Sequence, residues 1–337
     1  MKIKFYLKGG ESMSTEKIRT INGKELMQME FSPIRFIAED FIPQGLHIFA
    51  GMPKVGKSWL LLLLCLKVAQ GEKFWNYQTE KGSVLYLCLE DSFNRVQMRL
   101  SEITEEAPDN LHFAIMANSL SNGLLEQIDL FLAEHPDTNL IVIDTLQKVR
   151  DGTGDSNYYA GDYKDIGALK SIADKNGIAI LAVQHRRKQK SDDPHISISG
   201  STGMTGAADG SYVLVRPNEK SNEGKLYIRG RDLEEKILNI KFNSDSREWE
   251  FISGDTPISD AMKSDSVVSA VISYLKEHGE FLGQASELAE RIKINVKGNV
   301  LTRKLNNYEK ELKKIGIEFV KNRTGEKREL LLVYTPQ

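Results

Sequence analysis

Residues 51–58, Gly51-Met52-Pro53-Lys54-Val55-Gly56-Lys57-Ser58, match the pattern G-x-x-x-x-G-K-[ST] in full. Each position has a chemical reason. The two glycines let the backbone turn until its N–H groups converge on phosphate oxygens. The first turn of a following helix adds a partial positive charge. Lys57 reaches the β- and γ-phosphates of a nucleoside triphosphate, and Ser58 offers a hydroxyl to Mg²⁺. Pro53, Lys54 and Val55 complete the loop and Trp59 follows in the helix. With Gly51, Gly56, Lys57 and Ser58 they make up the expected nucleotide-binding set, with ATP and Mg²⁺ as its ligands. The alternative is a chance Gly-rich turn. It does not account for the apolar strand pattern ahead of the loop (Leu46–Ala50) or the long apolar helix pattern behind it (Lys57–Gln70).

Three further apolar runs end in polar groups. Leu140-Ile141-Val142-Ile143 leads into Asp144. A carboxylate at the C-terminal end of a buried strand faces the same crevice as the phosphate loop, where it would hold Mg²⁺ directly or through water. A helix cap is the alternative, since Thr145 and Leu146 follow. Val84–Leu89 leads into Glu90-Asp91. Glu90 is the candidate general base that polarises the attacking water, with Asp91 or Ser92 as the cap of the next helix; the alternative makes both acids caps. Ile178–Val183 leads into Gln184-His185-Arg186-Arg187-Lys188. Gln184 and His185 are both candidates to touch the γ-phosphate and report its loss.

Those groups can meet only if the strands that carry them lie side by side. Leu46–Ala50, Val84–Leu89, Leu140–Ile143, Ile178–Val183 and Tyr212–Val215 are continuous apolar runs, as strands buried on both faces require. Helical patterns over Lys57–Gln70, Ser92–Ile103, Gly123–Glu134 and Asp165–Lys175 alternate with them. The order predicts an α/β fold with a mainly parallel sheet and helices on both faces. Lys225–Arg229, Leu238–Phe242 and Glu248–Ile252 read as a terminal antiparallel set, and Ser253–Pro257 as a linker. Beyond it, helices over Ser266–His278, Ala285–Ile292 and Val296–Ile315 precede a hairpin of Glu318–Val320 and Glu329–Tyr334. That is the order of a winged helix. The expected organisation is an N-terminal extension over residues 1–30, an α/β domain over 31–254 and a small winged-helix domain over 260–337.

Composition narrows the partners. Hydrophobic residues make up 40% and charged residues 27%, as in a soluble globular chain. Lys plus Arg is 45 against 47 for Asp plus Glu, a net charge of −2, which excludes a globally basic chain but not a local basic patch. The longest apolar run, Trp59–Leu66, is far short of the roughly 20 residues that span a bilayer. The first residues carry too short an apolar stretch for a secretory signal. Cys65 and Cys88 both sit in apolar runs, as buried thiols of a cytoplasmic protein would, and no Cys/His cluster has zinc spacing.

Taken together, the Gly51–Ser58 loop, the Leu-Cys-Leu-Glu-Asp strand end, the Ile-Asp-Thr segment and the Val-Gln-His-Arg-Arg-Lys segment resemble the RecA/DnaB-type ATPases over roughly Ile34–Ile252. The chain looks most like the RepA-type hexameric helicases and related phage and plasmid ATPases. The resemblance implies that Glu90 is the catalytic base, that Arg99 lies by the adenine, and that Gln184 and His185 sense the γ-phosphate. It also implies a basic residue inserted into the neighbouring subunit's site from a late strand. Tyr227-Ile228-Arg229-Gly230-Arg231 has that basic-x-basic pattern, so Arg229 and Arg231 are the finger candidates, with Arg216 a weaker one. Arginines facing solvent on an edge hairpin are the alternative. The implied activity is a DNA-dependent ATPase working as a hexameric helicase or translocase on single-stranded DNA of a mobile element. Two alternatives are a recombination or helicase-loading ATPase and a nucleotide-switched DNA-binding replication initiator. The segment ahead of the ATPase region is too short for the collar domain of bacterial replicative helicases, which favours a RepA-like organisation.

Two loops, Arg150–Asp162 and Lys188–Gly203, leave the strand ends that in RecA-like rings line the central channel. Lys188, Lys190 and His195 in the second suit sequence-neutral backbone binding, whereas Asp151, Asp155 and Asp162 oppose it in the first. From Lys297 to Arg328 ten basic residues face four acids. Asn299, Arg303, Asn306, Asn307 and Lys310 fall on one side of a helix, with Lys304 beside them, and Lys321, Arg323, Lys327 and Arg328 flank the wing. That pattern suits duplex contact with phosphates alongside; a solvated face on a protein-binding winged helix is the alternative.

Gly9-Gly10-Glu11-Ser12-Met13 carries one last signal. Purine-rich codons for Gly-Gly-Glu shortly before a Met would resemble a bacterial ribosome-binding site, so Met13 is the expected natural start. Intact-mass measurement of the native protein checks this: a chain beginning at Met1 would rule it out.

Overall fold

A computed structural model of the chain describes residues 20–29, 31, 33–150, 158–186, 193–198, 202–218, 221–255, 265–324 and 327–335. The chain divides into two compact units, residues 1–34 and 35–337. In the first, a short helix α1 (Gly23–Gln28) starts where the side chain of Asn22 accepts the Glu25 N–H, and it buries none of its residues.

The second unit is built on a nine-stranded sheet. Six strands are parallel: β3 (Gly45–Gly51), β4 (Ser83–Cys88), β5 (Leu111–Ala114), β6 (Thr138–Asp144), β7 (Ala179–His185) and β8 (Gly210–Val215). Their spatial order is β8-β3-β7-β6-β4-β5, so the P-loop strand β3 is central and β7 separates it from β6. Alternate residues feed two cores. Phe49, Tyr86, Val142 and Leu181 enter one; Ile48, Leu85, Ile141 and Ile180 enter the other. That alternation is why the strands read as unbroken apolar runs: both faces are covered. Helices α2 (Lys57–Gln70) and α3 (Phe93–Ile103) pack on the first face, and α4 (Leu124–Glu134), α5 (Tyr158–Asn176) and α6 (Thr202–Ala207) on the second. Helix α2 buries most of its circumference, Leu60 to Leu66 included, and deleting one such side chain to Ala costs about 2–5 kcal/mol.

Antiparallel strands β9 (Glu223–Gly230), β10 (Lys236–Phe242) and β11 (Trp249–Asp255) extend the sheet beyond β8. The expected linker is partly strand: Ser253, Gly254 and Asp255 pair with Asn239, Leu238 and Ile237 of β10. The pair β1 (Phe36–Ala38) and β2 (Ile42–Pro43) was not expected, nor was β5, a half-exposed edge strand whose Leu-His-Phe-Ala sequence has no apolar run. Helix α5 starts earlier than Asp165, so Tyr158 and Tyr159 open a helix instead of lying in a loop. Asp162, one of the three acids expected to oppose DNA, is buried there and pairs with Arg150; Asp151 and Asp155 lie outside the described residues.

The C-terminal segment has a core of its own. Helices α7 (Ser266–His278), α8 (Ala285–Arg291), α9 (Gly298–Asn307) and α10 (Glu309–Lys314) surround Val271, Leu275, Leu288, Leu301 and Leu305. A sheet in the order β12 (Glu280–Gly283), β14 (Lys327–Tyr334), β13 (Ile317–Thr324) closes it. Two details differ from expectation. Strand β12 lies between the first two helices, and the single helix expected over Val296–Ile315 breaks at Tyr308, after two asparagines of poor helix propensity.

His195, expected among the basic loop residues, is buried in a short turn at Pro194–Ser197, with Nδ1 2.7 Å from the Ser211 hydroxyl. Burial, then the nearby Arg229 cation, lower its pKa to about 4. The unfolded chain takes up this proton near pH 6.5 and the folded chain does not. Stability from this group is therefore complete above about pH 7 and falls as pH drops from about 6.5 towards 4, by at most about 3–4 kcal/mol. Urea unfolding of the wild type and His195→Gln at pH 7.5, 6 and 5 should show the wild type losing stability that the variant keeps. A difference between the two that stays constant with pH would contradict this.

Candidate active site

At the C-terminal ends of β3, β4, β6 and β7 the structure forms a cavity of about 540 Å³. Pro53, Lys54, Gly56, Lys57, Ser58 and Trp59 form one wall. Glu90, Asp91, Arg95 and Arg99 form another, and Asp144, Thr145 and His185 close the floor. Gly51 and Val55 of the loop do not line it. Val55 packs into the core, and the Gly51 carbonyl accepts from Lys57.

The loop is turned by its backbone. Lys54 and Gly56 have left-handed φ of +63° and +99°, and Gly56 is the residue from which α2 starts. Lys57 donates to the carbonyls of Gly51 and Met52, each at 3.1 Å, so the cation folds back over its own loop. Burial lowers its pKa, with Asp144 and Glu90 opposing that shift.

Asp144 is buried at the end of β6. Its Oδ2 accepts from the Ser58 hydroxyl at 2.9 Å and from the Tyr86 hydroxyl at 3.0 Å. Burial raises its pKa, and these two hydrogen bonds and Lys57 pull it back. The donors around Ser58 and Asp144 are hard oxygens, which fits Mg²⁺. Among the described residues no group of three or more His, Cys, Asp or Glu could hold a metal alone. An ion here would draw its remaining ligands from substrate phosphates and water, as Mg²⁺ does.

Glu90 faces the cavity, and its Oε1 accepts from Thr145 Oγ1 at 3.2 Å. Asp91 is neither a cap nor free. It accepts from Arg95 at 2.9 Å and from Arg99 at 2.5 Å, while Ser92 caps α3. Arg99 also sits 5.9 Å from the centre of the Trp59 ring, so the pair form a shelf beside the loop.

The γ-phosphate candidates separate. His185 lines the cavity with Nδ1 buried and without a hydrogen-bond partner. Gln184, one residue earlier on β7, alternates away: it is buried and does not line the cavity. Arg229 and Arg231 are also away from the cavity. Arg229 pairs with Asp193 at 2.9 Å and Glu235 at 2.7 Å. Arg231 donates to the Gly206 carbonyl at 3.1 Å and lies 3.6 Å from Asp209. Arg216 lies over the rings of Trp249 and Phe242.

Of the expected nucleic-acid contacts, Lys188 and Lys190 lie outside the described residues. Arg303 is exposed on α9 with Asn299, Asn306 and Asn307. Lys304 is not free for DNA: it pairs with Asp265, the N-cap of α7. Lys310 lies in α10, Lys321 and Arg323 on β13, and Lys327 and Arg328 on β14, where Arg323 pairs with Arg328 in register.

A family model described as AAA domain matches residues 14–191, more than half of the chain. The chain belongs to this AAA-domain family. It is 31% identical to the DNA repair protein RadA of Escherichia coli (strain K12) over 191 residues, 55% of this chain and 38% of RadA. The chain thus spans well under half of that relative's length. Its fold resembles a solved ATPase domain (TM-score 0.50, 15% identity, 62% of this chain and 85% of that one). It also resembles a DnaB-like replicative helicase solved for its interactions with primase (TM-score 0.51, 15% identity, 62% and 57%). The core is a RecA-like P-loop ATPase fold, and among the described residues no helix is long and apolar enough to cross a membrane.

Tyr86 and Thr145 were missed by the sequence reading. Both act through a partner distant in sequence, Asp144 for Tyr86 and Glu90 for Thr145, and only the alternation of β4 hints that Tyr86 shares a face with Cys88 below the Glu90 tip. Thr145→Val removes the hydroxyl that fixes Glu90. We expect kcat for ATP hydrolysis to fall about tenfold or more with nucleotide Kd unchanged. Unchanged kcat would show that Glu90 needs no such support.

Proposed function

We propose that this chain is a DNA-dependent ATPase of the ring-forming helicase or translocase type. The observation that carries the hydrolytic part is the meeting of Lys57, the Ser58–Asp144 pair and Glu90 in one cavity. Main-chain N–H groups of the loop cradle the β- and γ-phosphates, and Lys57 swings from its two carbonyls onto them. Ser58 and Asp144 would hold Mg²⁺, which neutralises phosphate charge when bound. Glu90, aimed by Thr145, takes the proton from the attacking water. His185, with an unpartnered buried nitrogen, is the candidate contact to the γ-phosphate. The shelf of Trp59 and Arg99 suits the base.

The DNA part rests on the likeness to RadA and to DnaB-like folds. The residues between β7 and α6, which include Lys188 and Lys190, leave the same sheet edge as the cavity. In a hexamer those segments would line a channel for a single strand. Residues 31–254 would be the ATPase domain and 260–337 a winged-helix domain. The exposed row of Asn299, Arg303, Asn306 and Asn307 on α9 favours duplex contact by that domain. A second reading is a recombination or repair ATPase without unwinding, favoured by the identity with RadA.

ATP turnover measured with and without single-stranded DNA, with the oligomeric mass read in parallel, tests the proposal. We expect stimulation by the strand and a ring-sized mass, and Glu90→Gln should lose at least about 100-fold in turnover while still binding ATP. Turnover indifferent to DNA would sink the DNA-dependent reading. Strand displacement then separates helicase from repair ATPase.

A further inference from the structure

The phosphate loop is braced from outside its own strand and helix. Trp249, on the edge strand β11, is buried, and its indole N–H donates to the Gly56 carbonyl at 3.1 Å. The same carbonyl accepts the first helical N–H of α2, from Leu60, at 3.2 Å. The indole lies so close to the loop that a Cβ on residue 56 would come within 3.0 Å of two of its atoms. A Cβ on Gly224 would meet its other edge at 3.0 Å. The Trp249 backbone is tied as well: its carbonyl accepts from Trp75 Nε1 at 2.6 Å. The Arg216 guanidinium covers the indole face 4.7 Å from its centre and lies 5.5 Å from the Phe242 ring.

We infer that Trp249 is a positioning residue for nucleotide binding. It acts through Gly56 without touching the ligand. A peptide unit is planar, with C=O and N–H pointing in opposite directions. Holding the Gly56 carbonyl from beneath therefore aims the Lys57 N–H the other way. That N–H belongs to the first turn of α2, where no helical acceptor exists for it, so phosphate is its natural partner. Gly56 is left-handed at φ +99°, a conformation open to glycine in many neighbouring variants, and the indole selects one of them. The antiparallel extension thus sets the geometry of a loop that lies on the parallel half of the sheet.

The inference rests on reading the cavity as a nucleotide site, and the test separates the two. ADP affinity is measured calorimetrically for the wild type and Trp249→Phe, with the melting temperature of each nucleotide-free chain. Phe keeps the ring and removes the N–H. We expect ADP to bind about tenfold more weakly to the variant, a loss carried by the folded protein. A role in stability alone would lower the melting temperature and leave affinity within twofold, which overturns the inference. If the wild type does not bind ADP, the nucleotide reading fails and takes the inference with it. Should Trp249→Phe not fold, the wild type labelled with 15N at its tryptophans is titrated with ADP, and the Trp249 indole N–H resonance should move; a Trp249 resonance unmoved at saturation overturns the inference.

Discussion

Burying a carboxylate costs several kcal/mol unless donors surround it, and Asp144 sits at the tip of a strand buried along its whole length. Its support comes from two places: the Ser58 hydroxyl and the nearby Lys57 cation at the start of α2, and the Tyr86 hydroxyl on β4. No single element could supply them. The order β3-β7-β6-β4 is what brings them within reach, because the parallel strands all end at one edge and deliver their last residues to the same crevice. The raised pKa of Asp144 shows that these partners do not fully offset its desolvation. A divalent cation beside Ser58 and Asp144 would supply further countercharge.

The same edge explains the division of labour between adjacent residues. A strand sends neighbours to opposite faces, so of any two polar residues ending a strand only one is directed to the crevice. His185 faces it and Gln184 does not. At the end of β4 the chain has turned, and Glu90 and Asp91 both line the cavity with different tasks. Glu90 is held by the neutral hydroxyl of Thr145, which leaves its charge available, whereas Asp91 is saturated by Arg95 and Arg99. A base must remain uncompensated to accept a proton; a clamp for two arginines must not.

Much of this was legible in the sequence because it rests on local patterns. The loop at Gly51–Ser58, the acids at 90 and 144 and the parallel core all follow from apolar runs and what ends them. What escaped depends on pairing between distant segments. Tyr86 reads as one more apolar residue of a buried strand until β4 is set beside β6. Trp249 reads as a core tryptophan of an antiparallel set, and nothing in its neighbours points 193 residues back to Gly56. Strand β5 escaped for the opposite reason: as a half-exposed edge it lacks the apolar run that marks the others. Lys304 escaped because a lysine on a basic helix looks free until its partner Asp265, 39 residues away, is folded against it.

Magnitudes also decide how Arg229 on β9 and Arg231, just past its end, are to be understood. Arg229 and its partners Asp193 and Glu235 are all substantially exposed, and exposed ion pairs are each worth about 0.2–1 kcal/mol. Arg229 is therefore held loosely, and one charge-assisted contact to an oxyanion would exceed the cost of leaving these partners. Arg231 differs. Its partner Asp209 is buried, accepts the Leu46 N–H at 3.0 Å at the start of the P-loop strand, and is also paired with Lys170 at 2.6 Å. Lys170 already neutralises Asp209, so Arg231 adds only a weak 3.6 Å interaction there. Both arginines can leave their partners cheaply, but only Arg229 links β9 to Asp193, the N-cap of the short turn Pro194–Ser197 that buries His195. A rearrangement of Arg229 would therefore be felt at that turn, where the Arg229 cation helps to lower the His195 pKa.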